Sequence, residues 1–458
     1  MSAVRNFFLW PLAASLTACH AGLDRERILE RSEWLYADQV ETEPVLRSLP
    51  SRQRSPEPPA GEVRSIADID RYVGYGLREN AGLRAAYERW RAALERVPQV
   101  TSLPDPQLGF TQFVEDLQTR TGPQQRRYSL TQTLPWFGKL ELRGAVADGA
   151  AEEQWFEVAA LRLRVARDVT VAFYDYAYLA RSLQTTRAVF DLLRGIEPVV
   201  QRRIAGGTGG QQDLLRLQVE IGRIENELAS LDKVRPATSA RLQAAMNWRG
   251  EGELPLPELT EPRLAELEVE VLLARALEHN PELRRLCQGI RRSQQALELA
   301  RLEPWPDLAL GVDYLETGAA ATAVAGSGDD PWGVRVSMTL PVGRGRYAAA
   351  EREAERNLAA ASHALDDRRA NLRADLQHAV FQLDDNGRQV VLYRETLLPR
   401  SRESLEVTRA AYSAGTSTLL DLIDSERALL GFEIAYWRAC RDYHQSRARL
   451  ETLIGGAL

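Results

Sequence analysis

The sequence beyond about residue 65 contains one pattern twice, and this repeat is the strongest constraint on the fold. Asn80 and Leu83 recur as Asn280 and Leu283, at an offset of 200 residues. Later pairs are Leu108 and Leu308, Leu134-Pro135 and Leu340-Pro341, Gly207-Thr208 and Gly415-Thr416, Asp213 and Asp421, and Leu242 and Leu450. The offset grows to 206 and then to 208, as expected if insertions fall in loops. The ordered matches predict a tandem duplication of a unit far longer than solenoid repeats.

Each unit is predicted to contain a helix, two short strands and two long helices. In the second repeat, residues 251–458, Leu308, Leu310 and Val312 alternate with polar or small residues, which indicates a strand over 307–316. A second strand is predicted over 332–340. The first repeat, residues 65–250, is predicted to hold strands over 107–116 and 126–134. Strands of this length suffice to cross a membrane when tilted.

The helices that follow the strands are predicted to be too long for a compact domain. Continuous helical patterns cover residues 139–202, with a kink expected at Pro198, and residues 347–409. About 60 helical residues extend roughly 90 Å. The return helices carry leucine-rich heptads, so antiparallel coiled-coil packing is expected, with Gly206, Gly207 and Gly415 in the turns.

The N-terminus resembles a lipoprotein signal. Residues 1–18 contain a short apolar core, and Leu16-Thr17-Ala18-Cys19 resembles the bacterial lipobox, in which the cysteine is lipidated. The alternative is a plain signal peptide with an incidental cysteine. Residues 19–64 are rich in proline and are expected to form a tether.

Composition excludes several classes of function. A net charge of −6 argues against broad nucleic-acid binding. The five histidines are scattered without zinc spacing, and the glycines at 206–210 lack the Lys-Ser/Thr of a phosphate loop. No catalytic residue, metal or cofactor is therefore expected, apart from lipid on Cys19. Cys287 and Cys440 are interpreted as two core thiols, with one disulfide as the alternative.

Four strands per chain predict an assembly. Strand edges cannot stay unpaired in hydrocarbon, and the smallest single-chain membrane barrels have eight strands. Three copies would give about 12 strands in one shared barrel. Aromatic residues near the strand ends favour this membrane interpretation; they are Tyr128, Trp136, Phe137, Trp305, Tyr314 and Trp332. The alternative is a pair of soluble hairpins that cap a helical bundle.

The duplicated unit resembles the TolC family of outer-membrane efflux channels. The resemblance lies in residues 132–139 (QTLPWFGK) and 411–416 (AYSAGT), and in the run Asp421-Leu422-Ile423-Asp424. It implies a homotrimer with a 12-stranded β-barrel in the outer membrane of a Gram-negative bacterium. The barrel would continue into a long α-helical barrel that docks on a periplasmic adaptor protein and an inner-membrane pump. Residues 134–139 also resemble the branch that serves heavy-metal cation pumps. The alternative function is a lipid-anchored periplasmic coiled-coil scaffold without a pore.

The resemblance also suggests which residues act. Asp421 and Asp424 lie one helical turn apart and match the aspartates of the family's periplasmic aperture; the alternative for Asp421 is helix N-terminal charge. Tyr412 matches a tyrosine that helps to close the aperture by bonding toward the position of Asp213, although packing between helices would equally explain it. Ser417 stands where the family has a closing arginine. The remaining predicted sites are the adaptor-docking tips at Gly206, Gly207 and Gly415, and the strand–helix junctions at Pro135 and Pro341.

Overall fold

The computed structural model describes residues 69–458 apart from 208, 251 and 323, and it does not describe the side chain of residue 116. The predicted signal peptide (1–18), the lipidation site Cys19 and the whole predicted tether (19–64) lie outside these residues. In the described part, the chain is mostly helical and has one small sheet.

The elements follow the same order in both repeats. The first repeat contains α1 (Ile69–Glu79), α2 (Ala81–Leu94), α3 (Arg96–Thr101), β1 (Gln107–Thr119), β2 (Gly122–Leu134), α4 (Lys139–Ala205) and α5 (Gln211–Met246). The second contains α6 (Val269–His279), α7 (Pro281–Leu302), β3 (Leu308–Thr317), β4 (Trp332–Met338), α8 (Arg344–Leu392), a π-helical turn (Tyr393–Leu397), α9 (Leu398–Ala414) and α10 (Leu419–Ile454). Equivalent asparagines begin equivalent helices, because the side chain of Asn80 accepts from the Leu83 amide and that of Asn280 from the Leu283 amide.

The four strands form one antiparallel sheet in the order β1-β2-β3-β4. Strands from different repeats meet at its centre, where Tyr128 of β2 pairs with Tyr314 of β3. β1 ends at Thr119 and β2 begins at Gly122, so both strands are longer than expected and only the turn at 120–121 separates them. β4 is shorter than expected, because it ends at Met338. β1 and β4 are the two edge strands of this sheet.

One face of the sheet is apolar and exposed. Alternation along the strands places Leu130 of β2, Val312 of β3 and Val334 of β4 in one row, and each is more than two-fifths exposed. The next row is aromatic and consists of Phe110, Tyr128, Tyr314 and Trp332. A second aromatic group, the stacked rings of Trp136 and Trp305, lies beyond the other end of the strands with ring centroids 5.1 Å apart. The two groups therefore bracket an apolar band.

The long helices are continuous for most of the expected ranges. α4 runs past Pro198 to Ala205, and in the second repeat α8, the π turn and α9 follow one another without a break. The step in repeat offset from 206 to 208 falls between the Pro135/Pro341 and Gly207/Gly415 pairs. The expectation that insertions fall in loops is wrong for this step, because the π turn at Tyr393–Leu397 holds extra residues inside the helix.

The two cysteines of the described region are free thiols. Cys440 is fully buried in the largest apolar cluster, and Cys287 is half-buried against another. Burial raises the pKa of the Cys440 thiol to about 12, which keeps it protonated and unreactive.

Candidate functional site

The aspartate pair predicted to gate an aperture lies at the start of α10. Asp421 forms a capping box with Thr418, since its carboxylate accepts from the Thr418 amide at 2.9 Å and the Asp421 amide bonds the Thr418 hydroxyl at 3.2 Å. The Ser417 hydroxyl also donates to this carboxylate, at 3.0 Å. The hydrogen bonds from Thr418 and Ser417 lower the pKa of Asp421. Asp421 therefore caps the helix, as the alternative interpretation held, and its exposed side chain remains negatively charged.

Asp424 belongs to a network of charges that links α5 to α10. Its carboxylate lies 3.4 Å from the guanidinium of Arg427, which also bonds Glu220 of α5. Glu220 is 2% exposed and accepts a further bond from Arg223 at 2.7 Å. Burial opposes the ionisation of Glu220, but the bonds from Arg427 and Arg223 outweigh it and lower the pKa to about 2. One buried carboxylate thus ties together two helices from different repeats.

Tyr412 is held by an arginine from the other helix pair. The Arg203 guanidinium lies 4.7 Å from the centre of the Tyr412 ring, and its Nη1 donates to the Tyr412 carbonyl at 2.8 Å. The ring is 8% exposed and packs in an apolar cluster with Leu405 and Leu422. These contacts fit the interpretation of Tyr412 as a packing residue. Asp213, its expected partner, lies half-buried in the first turn of α5.

The three tip glycines have local conformational roles. Gly207 and Gly415 adopt φ values of +69° and +79°, in the left-handed region that favours glycine. The Gly415 amide bonds the Tyr412 carbonyl at 3.0 Å and ends α9, while Gly206 ends α4. The expected C-capping role is present, and adaptor docking at these tips stays a prediction.

A buried carboxyl group lies close to the aspartate pair. Glu426 of α10 is 3% exposed, and its Oε1 has no hydrogen-bond partner among the described residues. Burial raises the pKa of Glu426 to about 7; Arg409 opposes this shift, whereas Glu406 and Glu433 add to it. The spacing contains a signal for this burial, because Glu426 lies four residues after Leu422 and four before Leu430, on the apolar face of α10.

Pro135 and Pro341 lie between strand and helix, as predicted, and a buried lysine joins the first of these junctions to the other repeat. Lys139 is 1% exposed, and its ammonium donates to the carbonyl of Trp305 at 2.8 Å and to the carboxylate of Asp307 at 2.9 Å. Asp307 also accepts from the Trp136 amide at 2.9 Å. The only sign of this role in the sequence is composition, since Lys139 is one of just two lysines.

The polar face of the sheet carries a cluster of three charged residues. Asp313 of β3 accepts from Arg127 of β2 at 2.8 Å and from the Nε of Arg335 of β4 at 3.0 Å. The cluster therefore spans three adjacent strands, on the side opposite to the apolar rows.

Two kinds of feature are not found in the described part of the chain. No helix there is both long and apolar enough to cross a membrane. No group of three or more His, Cys, Asp or Glu side chains in residues 69–207, 209–250, 252–322 and 324–458 could hold a metal ion.

Comparison with known proteins gives the class of the protein. The family model described as "Outer membrane efflux protein" matches residues 272–456, which include the second repeat's strands and long helices. The second repeat therefore matches a family of outer-membrane transport channels, in agreement with the predicted resemblance, and this match supports a location in the outer membrane of a Gram-negative bacterium.

Individual relatives and solved structures are similar to most of the chain. The cobalt-zinc-cadmium resistance protein CzcC of Cupriavidus metallidurans is 22% identical over 404 residues, covering 86% of this chain and 91% of the relative. Nodulation protein T of Rhizobium leguminosarum bv. trifolii is 22% identical over 398 residues and covers 84% of each chain. The crystal structure of CusC matches with a TM-score of 0.71 at 16% identity, covering 89% of this chain and 99% of CusC. VceC of Vibrio cholerae matches with a TM-score of 0.68 at 16% identity, covering 85% and 96%. The solved structures share the fold of this chain.

Proposed function

We propose that this protein is the outer-membrane exit duct of a tripartite efflux system. It would conduct small molecules or metal cations passively, receiving them from an inner-membrane pump through a periplasmic adaptor. The functional assembly would be a homotrimer in which three sheets close one 12-stranded barrel, continuous with a long barrel of helices.

The observation that carries this proposal is the exposed apolar face of the open sheet. The row formed by Leu130, Val312 and Val334 is unfavourable to expose to water and favourable to place against lipid chains. Tyr128 and Trp136, from the two aromatic groups, are eight residues apart, or up to about 26 Å of extended chain. Strand tilt would shorten this to about 20 Å along the membrane normal, close to the height of the apolar band on outer-membrane barrels.

The edge strands support a shared barrel. β1 and β4 each have one side without a strand partner in the described sheet, and unpaired backbone groups in hydrocarbon cost several kcal/mol each. Pairing β4 of one copy with β1 of the next would remove all edges when three copies close a ring. A periplasmic scaffold without a pore, the alternative function, offers no partner for the apolar face.

For the substrate, the family resemblance and the CzcC relative favour heavy-metal cations, while OpmQ of Pseudomonas putida, described as a pyoverdine export protein, is 22% identical over 481 residues. We assign the aperture to Asp421 and Asp424, because both side chains are exposed and lie at the tip of the helices. Three copies would place two acidic rings there, which attract cations.

Planar-bilayer recording of the purified protein tests the duct. We expect heat-resistant trimers on gels and stable ion conductance, and a monomer that does not conduct would refute the proposal. Asp421→Asn with Asp424→Asn should lower cation selectivity, and Asp384→Asn, an exposed residue far along α8, is the matched control. Equal selectivity in the aspartate double variant and the control would overturn the aperture assignment.

A further inference from the structure

Three charged residues from adjacent strands meet on the polar face of the sheet. Arg127 binds Asp313 through Nε at 3.0 Å and through Nη2 at 2.8 Å. Arg335 binds the same carboxylate from the other side, through Nε at 3.0 Å and through Nη2. Four N–H groups therefore saturate one carboxylate, so Asp313 fixes the position of both guanidinium groups.

The cluster exposes its positive groups and hides its negative one. The Asp313 side chain is only 12% exposed, whereas the side chains of Arg127 and Arg335 are 41% and 43% exposed. Two cations against one anion leave each chain with one net positive charge at this place. The N–H groups of Arg127 and Arg335 that do not bind Asp313 remain available to an anion on this face.

The rest of the sheet contrasts with this site. Among the residues that pair in the sheet, the other charged ones are Arg126 and Glu316, which bind each other at 3.0 Å. Arg126 alternates with Arg127 and so shares the side of Tyr128, the apolar side. The neighbours of the cluster on the polar side are small or uncharged, such as Ser129, Thr131 and Gly311.

We propose that the Arg127–Asp313–Arg335 cluster is an anion-attracting selectivity site in the lumen of the barrel, for carboxylates, phosphates and inorganic anions. The assignment rests on the proposed function, because the polar face lines a lumen only if three sheets close a barrel. Three copies would then form a ring with three net positive charges. Fields from such a ring reach about 8–10 Å at physiological salt, so they act on an ion passing through the lumen.

This site would give the duct opposite charges at its two ends. The exposed carboxylates of Asp421 and Asp424 lie at the helix tips, and the arginines lie in the sheet. A cation would be favoured at the aperture and an anion in the barrel. Cargo that carries both charges, or a metal cation bound to an anionic ligand, suits both ends.

Reversal potentials in a KCl gradient across a planar bilayer test the site. Replacing Arg127→Gln together with Arg335→Gln should lower the chloride-to-potassium permeability ratio at least about fourfold. A single charge roughly 8 Å from an ion in water changes the local concentration of that ion about twofold, and each substitution removes one charge from every chain and acts in opposite directions on the two ions. Asp313→Asn should change the ratio in the opposite direction, toward chloride. Arg126→Gln is the matched control, since it removes a charge of the same sign from the adjacent residue on the apolar side, and it should leave the ratio unchanged.

The outcomes separate this inference from the proposed function. Wild-type protein without conductance would overturn both. A conducting wild type whose ratio is the same in the double variant, or shifts equally in Arg126→Gln, would overturn the selectivity site and leave the duct intact. If the double variant does not assemble, the single variant Arg335→Gln on the edge strand β4 takes its place. The logarithm of the permeability ratio should then change by about half as much as in the double variant.

Discussion

Glu426 offers a direct test of how the helix tip is packed. Its carboxyl group lies in the core between helices, and one of its oxygens has no partner among the described residues. The substitution Glu426→Gln keeps the size of the side chain and removes its ability to ionise. It therefore isolates the free energy of placing a negative charge at this position.

The magnitude follows from the pKa of about 7 in the folded protein, against 4.5 as the ordinary value. Because the folded-state pKa is raised, the neutral form is favoured by folding, and stability is lost as pH rises from 4.5 to about 7. The loss in the free energy of unfolding amounts to about 1 kcal/mol at pH 5 and about 3 kcal/mol at pH 8. The change in the free energy of unfolding caused by Glu426→Gln should therefore be about 2 kcal/mol more positive at pH 8 than at pH 5.

Thermal unfolding of the detergent-solubilised protein, followed by circular dichroism at pH 5 and pH 8, measures this difference. An unfolding entropy of roughly 2.1 cal/mol/K per residue gives about 1.0 kcal/mol/K for a chain of 458 residues. The change in Tm caused by Glu426→Gln should then be about 2–3 °C more positive at pH 8 than at pH 5. Glu403→Gln, an exposed residue on the adjacent helix α9, is the control and should show the same small change at both pH values.

An equal effect of Glu426→Gln at both pH values would refute the reasoning, because it would show that the carboxyl group ionises in the folded protein as it does in water. A larger benefit at pH 5 would contradict the sign of the pKa shift. The amide brings its own unpaired donor into the core, which shifts both values by the same amount, so the test is the difference between pH 8 and pH 5 and not either value alone.

Two further substitutions test the buried ion pairs. Glu220→Gln should lower the free energy of unfolding at pH 7 by about 2–3 kcal/mol, because it leaves Arg427 and Arg223 without their shared carboxylate. Since the Glu220 pKa is lowered to about 2, this contribution is present above pH 4.5 and is lost as pH falls toward 2, so a variant as stable as wild type at pH 7 would contradict the assignment. Lys139→Met should cost about 3–5 kcal/mol by removing the donor from Asp307 and two carbonyl groups, measured by Tm in detergent. Lys233→Met, at the exposed second lysine, should stay within about 0.5 kcal/mol of wild type, and similar losses from both lysines would rule out a special role for Lys139.

Features that depend on local spacing could be predicted from the sequence. The strand alternation of Leu308, Leu310 and Val312 is a period-two pattern, and the structure places these side chains on the exposed apolar face or at its margin. The capping role of Asp421 could also be predicted, because Thr418 precedes it by three residues.

Contacts between the repeats could not be predicted in the same way. Glu220 and Arg427 are 207 residues apart, and Lys139 and Asp307 are 168 apart. Spacing does place Glu220 on the apolar face of α5, three residues after Leu217 and four before Ile224. Glu426 lies in the same way between Leu422 and Leu430. Spacing within one helix does not show which charge, if any, each carboxyl group meets on another helix. The growth of the repeat offset from 206 to 208 shows that the second repeat is longer there by two residues, but it does not show where along the chain they are inserted.

The π turn at Tyr393–Leu397 determines how the two halves of the chain can differ in length. Each residue of an α-helix advances about 100° around its axis, so two extra residues in a regular helix would rotate everything beyond them by about 200°. Leu383 and Val390 before the turn are nonetheless buried, as are Leu398 and Leu405 after it. A π-helical turn holds one residue more than an α-helical turn, so it absorbs part of the surplus length as a local widening. The turn follows 49 helical residues and precedes 17, so the helix adjusts its length in the part closer to the tip than to the sheet.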